Sequence, residues 1–163
     1  MENHQTIQPG WHATDLNESE SLIVRTWRKL LSGNGNCPVI ARDFMDACGT
    51  EAVEVLATFG TVLRALAYAS RRRVSVGYPG CGMITNDERQ LLTLIAAAQA
   101  EDEACFEAHL RWMARADLRQ ALAIAVSAFA TALREHGHYL PLPIGMMPDA
   151  SGGAAAPLRV LCG

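Results

Sequence analysis

Of the five cysteines in this chain, Cys37, Cys48, Cys81, Cys105 and Cys162, Cys81 is the one placed for chemistry. Gly80 and Gly82 leave its thiol uncrowded, and it stands four residues ahead of Thr85, where a helix is expected to begin. A positive helix end and nearby arginines favour the thiolate, the nucleophilic form, so Cys81 is the candidate redox thiol or cysteine nucleophile, with His109 or His136 as a possible base. The plainer reading makes Tyr78, Pro79, Gly80 and Gly82 a tight turn that holds the cysteine as a small apolar filler. Cys37 is a second redox candidate because it precedes Pro38 at another expected helix start. That Cys-Pro pair also has the form of a haem-regulatory motif.

Two further groups can bind ligands. Arg71, Arg72 and Arg73 are adjacent, and three guanidinium forks together are candidates for holding an anion or a nucleic-acid backbone. They also fall where a helix should end, a position at which cations stabilise exposed carbonyls. Cys105 and His109 are four residues apart, so one helical face presents both, as two ligands of one metal ion would require. Structural zinc sites carry further ligands at short spacing, and CxxC, HxxxH and HExxH are all missing. No metal or other cofactor is therefore expected beyond these alternatives. No catalytic residue is assigned other than Cys81 as the alternative nucleophile, because the chain has no GxSxG, no GxxxxGK[ST] and no GxGxxG opening a strand-to-helix turn.

The elements that must position these residues read as helices. Asn17 with Glu20 forms a capping box that opens a helix to about Leu31, with Ile23, Trp27, Leu30 and Leu31 on its apolar face and Arg25, Arg28 and Lys29 opposite. Pro38 suits the first turn of a shorter helix ending at Gly49. Thr50 is expected to cap a third helix running to the arginines, apolar nearly all round and so central. Thr85 with Glu88 is the clearest start signal. A helix with Cys105, Phe106, His109, Trp112 and Met113 inside and a Glu107–Arg111 pair outside follows the acidic run Glu101 to Glu103. The last helix should be capped by Asp117 and Gln120 and form a second buried helix with Leu122, Ala125, Phe129 and Leu133. Val74, Val76 and Tyr78 alternate, as do Leu158, Val160 and Cys162, and the matching patterns suggest a strand pair.

The stretch from Arg71 to Glu88, with its arginine-rich helix end, Gly80-Cys81 turn and Asp87-Glu88 helix start, resembles small, uncharacterised helical proteins of alphaproteobacteria. The resemblance spans residues 20 to 137. In that pattern a second cysteine follows two positions after the first, whereas Met83 stands there in this chain, which weakens a paired-cysteine metal or redox role. What the resemblance implies is a helical domain, and no activity comes with it.

The 163 residues suit one domain, and the net charge of -3 gives no global field toward nucleic acid or anionic lipid. The expected fold is all-α, a compact bundle of about six helices over residues 18 to 138, with a mobile arm at 1 to 17 and a flexible Pro/Gly/Ala-rich tail at 139 to 163. The opening residues lack a secretion signal and the longest uncharged apolar run, 121 to 133, is too short for a bilayer, so a cytoplasmic location with no membrane partner is expected. Specific DNA binding is not expected, because in a helix-turn-helix reading of residues 38 to 66 the second helix would present Glu51 and Glu54 to the bases. Surplus apolar helix surface points instead to protein contacts, with self or with another protein, in a regulatory or accessory role.

Overall fold

A computed structural model describes residues 10–33 and 36–143. The described residues form six α-helices: α1 Glu18–Leu31, α2 Pro38–Cys48, α3 Ala52–Ala69, α4 Asn86–Ala100, α5 Glu103–Met113 and α6 Arg119–Glu135. Short 3-10 turns at Ala13–Asp15 and Gly49–Glu51 precede α1 and join α2 to α3. The described residues contain no strand, only the isolated bridges His12 with Met83 and Ser70 with Ala114. The fold is an all-α bundle.

The expected capping boxes form at both places. The Asn17 side chain accepts from the Glu20 N–H and Glu20 returns a bond to the Asn17 N–H, each at 2.8 Å. Thr85 and Glu88 make the same reciprocal pair at the start of α4. Two other caps differ from expectation. Thr50 lies inside the Gly49–Glu51 turn and α3 starts without a side-chain cap, since the chain turns from α2 into α3 at Gly49, whose φ of +61° and ψ of −135° leave the helical region. α6 likewise begins at Arg119 without help from Asp117.

The centre of the bundle is α4. Asp87, Glu88 and the run from Gln90 to Ala97 are all buried, although the sequence pattern assigned the central positions to α3 and α6. Those two helices pack chiefly on each other, with Phe59 and Phe129 stacked at 4.9 Å between ring centroids, an arrangement that adds about 0.5–1.5 kcal/mol beyond burial. α4 packs against α6 and α5, and α2 against α3. α3 therefore buries the stripe Val55, Phe59, Val62, Leu66 and Ala69, and it leaves Val53 and Tyr68 exposed. Helices without a polar face need not be central when a one-sided partner covers half of them. Taken together, α2 and α3 (Pro38–Ala69) are long and apolar enough to cross a membrane by length and composition alone, with a mean hydropathy of 1.4 over the most apolar window.

The chain on either side of the bundle is tied to it. Trp11 accepts from the Ile84 N–H and Ala13 donates to Gly82, both at 2.8 Å, so residues 10–16 lie along the loop that leads into α4. After α6, the His138 Nε2–H donates to the Ala47 carbonyl at 2.9 Å, which leaves Nδ1 to accept the Ser19 hydroxyl at 3.0 Å. Leu140 is buried and its N–H donates to Gln99. The pairing suggested for 158–162 lies outside the described residues.

Candidate functional site

The loop from Ser70 to Thr85 has an extended stretch whose alternation resembles a strand, yet its backbone is bonded to side chains. The Ser75 N–H donates to Asp87 at 2.6 Å and the Gly77 N–H to Glu88 at 3.1 Å. Residues two apart in extended chain point the same way, so both amides face the first turn of α4, while Val74 and Val76 pack on the core. The two adjacent carboxylates take the place of a partner strand.

Each of these carboxylates is also held by an arginine. Arg72 grips Asp87 in a fork, Nη2 to Oδ1 at 2.6 Å and Nη1 to Oδ2 at 3.0 Å. Its guanidinium also sits 4.9 Å from the centre of the Trp112 ring. Arg28 reaches Glu88 from α1, donating from Nε to Oε1 at 2.7 Å and from Nη2 to Oε2 at 2.8 Å. Its remaining bonds go to the carbonyls of Cys81 and Met83. The Arg28 side chain is 4 % exposed and that of Glu88 is 0 % exposed. Hydrogen bonding to Glu88 holds the Arg28 guanidinium above even its usual high range, against the opposing effect of burial. Sequence pattern put Arg28 on the outer face of α1, whereas it is buried and Leu31, assigned to the inner face, is exposed. The missed signal was the pair of acidic residues opening an otherwise apolar helix, since buried carboxylates require cations.

Cys81 is half-buried and lines a cavity of 340 Å³ between the Ala13–Asp15 turn, α1 and the Pro79–Gly82 turn. The basic residues around it are Arg25, Arg28 and Lys29. Arg71, Arg72 and Arg73 do not join them. Arg71 donates to the Ala114 carbonyl, Arg72 is engaged with Asp87, and both line a separate cavity of 280 Å³ beside Trp112. Of the three adjacent arginines, Arg71 and Arg72 thus share one cavity with their guanidinium groups already engaged, and Arg73 does not line it.

Cys105 and His109 do meet, with Sγ 3.6 Å from Nδ1. The same nitrogen lies 2.8 Å from the Cys105 carbonyl, which can only accept, so Nδ1 carries the proton and faces the thiol as a donor. Among the described residues, no group of three His, Cys, Asp or Glu side chains is placed to hold a metal. Burial pushes the thiols of Cys105 and Cys48 up, Cys105 further through the nearby Asp102 charge, which suits inert core cysteines. Cys37 is partly buried at the start of α2 and packs against the core. His136 is spent on the Ala132 carbonyl and on Glu51. Compared with known protein families, with curated proteins and with solved structures, the chain matches none.

Proposed function

We propose that this chain is a non-enzymatic helical protein that acts through protein contacts, in a regulatory or accessory role, and that it pairs with a second copy through the outer faces of α3 and α6. The observation that carries this reading is the exposed side of those helices, where Val53 is 75 % and Ile124 is 64 % exposed. Beyond Glu51 and Glu54, which flank Val53, charge is scarce there: Arg64 is the sole ionisable group from Val55 to Ser70 apart from Tyr68, and residues 120–133 hold none. Arg64 itself is turned back to the Thr61 hydroxyl. A face of small and apolar residues with almost no charge is self-complementary, which is what a twofold interface needs.

Light scattering on the eluting full chain tests this. The expected mass is twice that of one chain, falling to one with Ile124→Glu. A monomer at every concentration that also captures no partner overturns the reading. Flotation with lipid vesicles would overturn it in another way, by assigning the apolar surface of α2 and α3 to a bilayer.

A second reading, a thiol-based sensor at Cys81, is favoured by the cationic cavity that this residue lines. The rate of Cys81 alkylation against pH decides it, because an ordinary thiol midpoint of about 8.5 removes the support.

A further inference from the structure

We propose that the 340 Å³ cavity between the Ala13–Asp15 turn, α1 and the Pro79–Gly82 turn is a binding site for a small organic anion with an apolar body, such as a medium-chain carboxylate. Its size lies within the range of small-molecule sites, about 300–1,000 Å³. Three separate stretches of chain converge on it, and each is held in place: the first by backbone bonds between Ala13 and Gly82 and between Ile84 and Trp11, the last by Arg28 on the Cys81 and Met83 carbonyls. The cavity is therefore preformed, which spares a ligand the cost of ordering its walls.

The lining is two-sided in its chemistry. Ser21, Arg25 and Lys29 follow one another at four-residue spacing on α1 and make one polar stripe. Leu16, Val24 and Pro79 supply the apolar wall. The charge does not balance. Arg28 and Glu88 neutralise one another and their contacts are filled, whereas Arg25 and Lys29 share the single carboxylate Asp43 through long contacts of 3.9 Å and 3.6 Å. Two cations at the rim thus share one carboxylate within ion-pair distance, and neither is held in the tight geometry of a strong pair. An inorganic anion would leave the apolar wall unused, and a neutral apolar molecule would leave the cations unused. An alkyl or aryl carboxylate matches both. This site is separate from the α3 and α6 face and does not depend on it.

Amide-resolved NMR titration of the full chain with octanoate, with octanol and inorganic phosphate as parallel arms, tests the assignment. The expected result is saturable shifts confined to the Ala13, Ser21–Lys29 and Pro79–Gly82 amides, with octanoate bound at least about tenfold more tightly than either control. In Arg25→Gln/Lys29→Gln, octanoate should weaken to the level of octanol while octanol itself is unchanged. Absence of saturation at millimolar octanoate overturns the proposal. Octanol binding as tightly as octanoate overturns the charge argument, and phosphate binding as tightly overturns the apolar one. Both control arms use the unmodified protein, so the outcome stands even if the double variant is poorly folded.

Discussion

Both oxygens of the Glu88 carboxylate lie on the Arg28 guanidinium, at 2.7 Å from Nε and 2.8 Å from Nη2, across the loop that carries Cys81. The same carboxylate also takes the N–H groups of Gly77 and Thr85. This one pair thus joins α1, the loop and the start of α4. Removing either partner strands the other in the interior, and breaking a buried pair costs about 3–5 kcal/mol. Arg28→Met and Glu88→Gln should each lower stability in urea unfolding by about that much. The double variant should lose clearly less than the sum, because the second change removes the charge that the first left unpaired.

Gly77 is where the loop backbone crosses the Arg28 guanidinium. A Cβ there would lie 2.7 Å from Nη2 and 2.8 Å from Cζ, closer than real carbon contacts come. Arg28 cannot yield, since its side chain is buried and bonded to Glu88, Cys81 and Met83. Gly77→Ala should therefore cost about 1–3 kcal/mol, the usual penalty for overpacking. Gly82→Ala is the control: its Cβ would meet nothing within 4 Å, and it should leave the urea midpoint nearly unchanged.

These two positions also show how far the sequence could be read. Asn17, Glu20, Thr85 and Glu88 act where local hydrogen bonding puts them, because capping chemistry depends only on neighbours in the chain. Which apolar helix became central depended on long-range packing: α3 is more apolar than α4, yet α4 is the one covered on nearly every side. Arg28 escaped notice for the same reason. Its partner is 60 residues away, and helical periodicity treats any arginine as solvent-facing. Cys81 lines a cavity whose cations come from α1 rather than from the arginine run nearer in sequence.

The thiols of the described residues divide into two classes that chemistry can separate. Cys48 and Cys105 are buried, and that burial pushes both thiols up. Cys37 and Cys81 are partly exposed. Peptide-resolved alkylation of the folded protein at neutral pH should label Cys37 and Cys81 first and leave Cys48 and Cys105 unmodified until denaturant is added. Early labelling of Cys105 would mean that α5 opens locally in the native state.

His136 at the end of α6 gives the fold a pH dependence whose sign is set by its partners. Nδ1 bonds to the Ala132 carbonyl at 2.8 Å and Nε2 lies 2.9 Å from a Glu51 carboxylate oxygen, so both neighbours favour the protonated ring. The Ala132 bond and the Glu51 charge raise the imidazole above its usual 6.5, with Glu135 adding to them and burial opposing them. A group raised by folding binds its proton more tightly in the native state. Its stabilisation is therefore complete below 6.5 and declines as pH rises through the higher native value. Urea midpoints taken from slightly acidic to slightly alkaline pH should fall through that window in the unmodified chain. In Glu51→Gln the fall should be shallower, because the carbonyl bond remains while the charge is lost, and in His136→Gln this step should vanish. A step unchanged in His136→Gln would assign the titration to another group.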